Sequence, residues 1–90
     1  MTKRLYSLRD NRLGLFAQPI ISHNDAVAIR QFGDIVQDEK MGLIAQHPDD
    51  FALYYLGDFD DETGSFASVE PVCLAFGSDF LTPKDVNKHE

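Results

Sequence analysis

The sequence has 90 residues, enough for one small domain and too few for a two-domain enzyme with a cofactor cleft. Apolar residues make up 43% and charged residues 26%, which is typical of a folded globular chain and excludes a disordered one. The net charge of −7 argues against a general nucleic-acid coat or a membrane-surface binder, because such proteins neutralise anions with Lys and Arg.

The chain has no feature of a membrane or secreted protein. No apolar run approaches the roughly 18–20 residues that cross a bilayer, and no apolar segment follows Lys3 and Arg4 as it would in a secretory signal. The single cysteine, Cys73, excludes an intramolecular disulfide and a zinc site built from several cysteines. We therefore expect a protein of a reducing, cytosolic compartment that makes no membrane contact.

A β-hairpin is predicted at the start of the chain. Segments 4–9 and 15–21 have the composition of strands, and segment 10–14 between them contains Asp, Asn and Gly, which favour a turn. Pro19 has no N–H to donate to a neighbouring strand. The second strand is therefore expected to be an edge strand there, or to end near it.

A helix is predicted next. Ser22 fits the start of a capping box with Asp25, and Asn24 is a second possible cap. The apolar residues that follow have the three-and-four spacing of one helical face, at Ala28, Ile29, Phe32, Ile35 and Val36. The helix is expected to end near 39–40, because Gly42 marks a break.

The second half predicts another hairpin. Its expected elements are a short strand at 43–45, a helical turn at 47–50, a strand at 51–59, a turn at 60–64 and a return strand at 65–74. The pattern Asp-x-x-x-Gly-x-Phe-Ala begins at Asp10 and again at Asp60, which indicates two similar hairpins and no duplication. We predict an α+β domain over residues 1–81, arranged ββα-ββ, with one amphipathic helix on a small antiparallel sheet. A polar tail, 82–90, is expected to fray.

Aromatic residues are numerous for a sheet that a single helix covers only in part, since about fifteen helical residues span roughly 22 Å. Tyr54 and Tyr55 are adjacent and must point to opposite faces of a strand. The strand aromatics are therefore expected to be partly exposed or buried against a partner. A homodimer is the preferred explanation, because two-fold pairing is the commonest way to cover such a surface.

The charge is unevenly distributed along the chain. Residues 1–30 sum to +3 and residues 31–90 to −10. A basic, aromatic first hairpin would suit single-stranded DNA, because rings stack on bases and arginines meet phosphates. The candidate contact residues are Lys3, Arg4, Tyr6, Arg9, Arg12 and Phe16. The alternative is that Tyr6 and Phe16 are core residues and the arginines are solvated.

No catalytic or metal site is predicted. The acidic turn 58–64 fails as an EF-hand, because Thr63 stands where Gly is required and Val69 where a bidentate Glu is required. The histidines are not at metal-ligand spacing, Cys73 has no nucleophile signature around it, and there is no Gly-rich phosphate loop. We therefore expect a protein that is not an enzyme and that uses no cofactor.

Several ordered blocks resemble the small nonstructural protein of gokushovirus-type microviruses, which are single-stranded DNA bacteriophages. These blocks are 6–10 (YSLRD), 24–32 (NDAVAIRQF), 47–54 (HPDDFALY), 56–60 (LGDFD) and 63–64 (TG). The resemblance covers about residues 4–70 and is absent from Phe76 onward. It implies a nonstructural protein of the host bacterial cytoplasm that acts in genome replication, in the shift towards single-stranded DNA synthesis, or in packaging. It brings no catalytic residues.

Two functions are consistent with these observations. The first is a non-catalytic accessory protein that binds single-stranded DNA, or a phage or host replication or capsid protein bound to DNA. The second is an acidic protein–protein interaction module that makes no DNA contact, which the −10 balance of residues 31–90 supports.

Overall fold

Five antiparallel strands and one long helix form the fold in a computed structural model, which describes residues 1–81. The strands are β1 (Thr2–Asp10), β2 (Leu15–Phe16), β3 (Ile20–Ser22), β4 (Phe51–Asp60) and β5 (Phe66–Phe76). The helices are α1 (Asp25–Val36) and α2 (Leu43–Gln46), with 3-10 turns at Glu39–Met41, Pro48–Asp50 and Gly77–Phe80. The strand order is β2-β1-β4-β5, and β3 also pairs with β1. The predicted α+β class is confirmed.

The two hairpin turns have the same construction. In each, the side chain of the first aspartate, Asp10 or Asp60, accepts hydrogen bonds from backbone N–H groups of the turn. The glycine four residues later donates its N–H to the carbonyl oxygen of that aspartate at 2.8 Å. Gly14 and Gly64 have φ values of 72° and 76°, a region that favours glycine. The repeated sequence pattern therefore reflects shared turn chemistry.

The start of α1 differs from the capping box that the sequence suggested. Asn24 is the N-cap, and its side chain accepts the N–H of Val27 at 2.9 Å. Ser22 still belongs to β3, where it pairs with Arg4, and its buried hydroxyl has no hydrogen-bond partner. The Ser22 capping box was wrong because strand pairing holds that residue outside the helix.

The segment after α1 also differs from the prediction. The helix ends at Val36, before the expected 39–40, and the chain continues in a 3-10 turn. The short strand predicted at 43–45 is wrong, since these residues lie in α2. The backbone N–H groups of Gln46 and His47 bond back to the carbonyl oxygens of Gly42 and Leu43, so the polar backbone is satisfied locally.

The remaining predicted elements are confirmed with small shifts. The helical turn forms at Pro48–Asp50, and the second hairpin forms from β4 and β5. The second strand of the first hairpin is interrupted between β2 and β3, around Pro19, which cannot donate to β1. The tail predicted at 82–90 lies outside the described residues.

One face of the sheet is covered by α1. The core contains Tyr6, Ala28, Phe32, Val36, Phe51, Leu53 and Ala75. The ring of Phe80 meets that of Phe32 edge-on at 5.5 Å between centroids. The 12 residues of α1 span about 18 Å, whereas the 10 residues of β4 span about 33 Å, so part of even this face extends beyond the helix.

A β-bulge interrupts the pairing of β1 with β4. Leu5 pairs with Gly57 and Tyr6 with Tyr55, which leaves Leu56 as an extra residue. Gly57 has a φ of 151°, and a Cβ there would collide with the carbonyl oxygen of Ala67. The extra residue exchanges the two faces for everything that follows it in β4.

We expect Gly57→Ala to lower the free energy of unfolding by about 3 kcal/mol, from backbone strain and the collision with β5. The matched control is Gly64→Ala, where φ is also positive but a Cβ meets nothing within 4 Å. Its loss should be about 1 kcal/mol. Urea unfolding measures both variants, and equal losses would contradict a requirement for close approach at Gly57.

Candidate nucleic-acid interface

The sheet face turned away from α1 carries exposed side chains, and we call it the open face. Strand pairing assigns residues to it, because side chains at directly paired positions lie on the same face. The assignment starts from Tyr6 and Leu53, which are buried under α1, and alternates along each strand apart from the bulges. Its larger side chains are those of Lys3, Leu5, Arg9, Phe16, Ile21, Tyr54, Phe59, Phe66, Cys73 and Phe76. The small residues Ser7 and Ala52 lie on the same face and are fully buried.

Five of these ten residues are aromatic. Phe16, Phe66 and Phe76 are 43%, 53% and 48% exposed. Tyr54 and Phe59 are half-buried, and the ring of Tyr54 meets that of Phe16 edge-on at 5.3 Å. The sequence analysis placed Tyr54 and Tyr55 on opposite faces, which is confirmed. The open face is therefore an aromatic surface with rings from β2, β4 and β5.

The charged residues that strand pairing assigns to the open face, Lys3 and Arg9, are basic. Glu70 is exposed in β5, in a segment without paired positions in β4, and is assigned to neither face. Arg9 extends towards the ring of Phe16, 5.8 Å from its centroid, and donates a hydrogen bond to the side chain of Asn11. No carboxylate of residues 1–81 forms an ion pair with Arg9. Lys3 lies 3.6 Å from the carboxylate of Asp61. Arg9 is thus the more available cation for a phosphate.

Two of the six candidate contact residues lie on the other face. Tyr6 is completely buried, and its hydroxyl donates to the carboxylate of Asp25 at 2.8 Å. Arg4 forms an ion pair with Asp25 at 3.0 Å and lies 3.9 Å from the ring centroid of Tyr55. Both are therefore removed from the candidate interface, because a buried ring cannot stack on a base and a paired guanidinium faces α1. Tyr6 is therefore a core residue, which was the alternative interpretation from the sequence.

The other four candidates are divided between two places. Lys3, Arg9 and Phe16 lie on the open face, whereas Arg12 lies in the exposed turn of the first hairpin. The sequence analysis omitted Tyr54 and the three remaining phenylalanines of this face. Alternation along β4 places Tyr54, but the faces beyond Leu56 depend on a bulge that only the paired strands reveal.

Two of the basic residues in the first segment, Lys3 and Arg4, form ion pairs with acidic residues of the same fold. Arg4 contacts Asp58 as well as Asp25, with 3.9 Å between its Nε and the carboxylate of Asp58. The basic β1 and the acidic end of β4 are neighbours, since Arg4 and Asp58 are paired positions and Asp61 reaches Lys3. The basic first segment therefore does not form a continuous basic face, and part of its charge is neutralised across the sheet.

A pocket of about 430 Å³ lies at the tip of the first hairpin, beside α2. Its lining is Asp10, Arg12, Leu13, Leu43, His47, Asp50 and Phe51. Within residues 1–81 there is no cluster of three or more His, Cys, Asp or Glu side chains placed to hold a metal ion. The same part of the chain has no helix that is long and apolar enough to span a membrane.

Comparison with known proteins places the chain among phage proteins. A family model described as Phage ORF5 protein matches residues 3–80. The chain belongs to this family. It is also similar to Protein ORF5 of Chlamydia phage 1, with 28% identity over 90 residues and 94% of each chain covered. No solved structure matches it. The resemblance to a small microvirus-type protein is therefore confirmed, and neither name specifies a function for this phage ORF5 protein.

Tyr6 provides a test of the face assignment. Burial, and then the adjacent carboxylate of Asp25, raise the pKa of the Tyr6 phenol well above its usual value of 10. An unfolded chain ionises this phenol first, so its contribution to stability is complete below pH 10 and is lost as pH rises further. The free energy of unfolding should fall there by up to about 1.4 kcal/mol per pH unit.

Tyr6→Phe is the control for this titration. Because Tyr6 stays protonated while the protein is folded, wild type and Tyr6→Phe should show the same rise in tyrosinate absorbance up to pH 11. A larger rise in the wild type near pH 10 would mean that the Tyr6 phenol is accessible to solvent.

Proposed function

We propose that this phage ORF5 protein is a non-catalytic accessory that binds single-stranded DNA on its open face, in replication or packaging of the viral genome. The observation that carries the proposal is a sheet face with five aromatic rings, three of them exposed, to which strand pairing also assigns Arg9 and Lys3. Stacking on a protein aromatic ring contributes about 1–3 kcal/mol per base and tolerates any sequence. Arg9 is available for a phosphate beside the ring of Phe16.

The geometry favours a single strand over a duplex. Rings that lie on a sheet need unstacked bases, and the base faces in a duplex are already covered by their neighbours. The major groove admits a helix or a two-stranded ribbon, which is narrower than this sheet. The proposed ligand is also the genome form of the viruses whose small nonstructural proteins the chain resembles.

The net charge of −7 limits how much of the affinity is electrostatic. With one or two phosphates contacted by Arg9 and Lys3, the slope of log affinity against log salt is about −0.7 to −1.4. Raising the salt from 50 to 200 mM should then weaken binding only about three- to seven-fold. Stacking on the open face supplies the rest.

Fluorescence anisotropy with labelled single-stranded and duplex DNA at those two salt concentrations tests the proposal. We expect preferential binding of the single strand, and Arg9→Ala should weaken it several-fold and reduce its salt dependence. Arg30→Ala removes the same charge from an exposed position on α1 and should have no effect. Absence of binding at 50 mM salt, or equal effects of the two substitutions, would contradict DNA contact at the open face.

Protein–protein interaction is the rival function. Exposed apolar surface of this kind is also typical of protein interfaces, so a second copy of the chain is a competing occupant of the open face. A homodimer formed in this way predicts twice the monomer mass in sedimentation, loss of the dimer in Phe76→Asp, and no DNA binding. An acidic module that binds another protein predicts a monomer without DNA affinity.

A further inference from the structure

The aromatic rings of the open face form two groups at its opposite ends. The first group, Phe16, Tyr54 and Phe76, lies around Arg9 near the tip of the first hairpin. The second group, Phe59 and Phe66, lies beside Lys3, because these three residues are directly paired across β1, β4 and β5. We call them the Arg9 group and the Lys3 group.

The two groups are well separated. Arg9 and Lys3 are six positions apart on β1, which corresponds to about 20 Å at 3.3 Å per residue. Two rows of paired residues lie between them. The row nearer Arg9 carries Tyr54 beside Ser7, and the next row, in which Gly57 pairs with Leu5 and Ser68, carries no aromatic ring. A ligand that stacks on both groups must therefore cross a stretch where nothing supports a base.

We infer, on the basis of the proposed function, that one single strand binds both groups at once. A stacked strand advances about 3.4 Å per nucleotide, so about six steps cover 20 Å and a more extended strand needs fewer. The ligand is then a continuous single strand of at least about four to seven nucleotides. A mononucleotide or dinucleotide reaches one group only.

The two groups contribute unequally to the affinity for a single strand. The Lys3 ammonium is 3.6 Å from the carboxylate of Asp61, whereas Arg9 has no carboxylate partner within residues 1–81. The Arg9 group also has three rings against two. Short oligonucleotides therefore bind at the Arg9 group, and the Lys3 group adds affinity only when the strand is long enough to reach it.

Phe16 and Phe66 form a matched pair for testing this inference. Each follows its turn glycine by two positions in the repeated pattern, each is on the open face, and their exposures are 43% and 53%. Affinities for oligo(dT) of 2, 3, 4, 6, 8 and 10 nucleotides should be measured for the wild type, Phe16→Ala and Phe66→Ala. Thermal unfolding verifies that both variants fold, and Phe66→Leu retains apolar bulk without a ring.

In the wild type, affinity should rise about tenfold between two or three nucleotides and eight, which is the gain expected from one further stacked base. Phe66→Ala and Phe66→Leu should remove most of this rise, because Phe66 is the more exposed of the two rings in the Lys3 group, and should leave the shortest oligonucleotides unaffected. Phe16→Ala should weaken all lengths about tenfold. Binding that does not depend on length or on Phe66 would overturn the two-group inference while leaving the proposed function intact. Absence of binding at every length would overturn both.

Discussion

A single extra residue in β4 decides which side chains share a face of this sheet. Up to Tyr55 the strand alternates in step with β1, and Leu56 then shifts the alternation by one position. Without that shift, Asp58 would leave the side of Arg4, and Phe59 would turn away from the open face. Directly after the extra residue, Gly57 lies so close to β5 that a Cβ would collide with the carbonyl oxygen of Ala67, and glycine has no Cβ.

The shift separates polar from aromatic residues at the end of the sheet that α1 leaves uncovered. On the helix side, Tyr55 donates a hydrogen bond to Asp58 at 2.8 Å, and Arg4 lies against the ring of Tyr55. Asp25, in the first turn of α1, accepts a hydrogen bond from the Tyr6 hydroxyl and forms an ion pair with Arg4. These contacts connect the helix to β1. This network neutralises basic charge from the first segment. On the opposite side, the rings of Phe16, Phe66 and Phe76 are exposed, and Arg9 and Lys3 lie on the same face.

The sequence predicts those parts of the fold that depend on local chemistry. Both hairpin turns follow from an aspartate and a glycine four residues later, and α1 follows from its apolar spacing. Ser22 was misassigned because its hydroxyl suits a helix cap, whereas its backbone is held by β1. Segment 43–45 was misassigned because three apolar residues fit a strand and a helical turn equally well.

The candidate site could be predicted only in part, because it depends on pairing between distant segments. Phe16 and Arg9 were found together because they flank one turn, and they are indeed paired. Tyr6 was included because it lies in the same basic segment, although strand alternation sends its ring into the core. The partnership of Lys3 with Phe59 and Phe66 depends on the bulge, which involves residues more than fifty positions apart.

The central claim is that the open face binds a single strand, and Cys73 tests it directly. It is the only cysteine in the chain, it is exposed, and it lies on the open face paired with Tyr54. The measurement is the rate of maleimide modification of Cys73 with and without saturating oligo(dT). The account predicts a rapid reaction in the free protein that slows several-fold with the single strand and not with duplex DNA. An unchanged rate with bound oligonucleotide, or an unreactive thiol in the free protein, would contradict it.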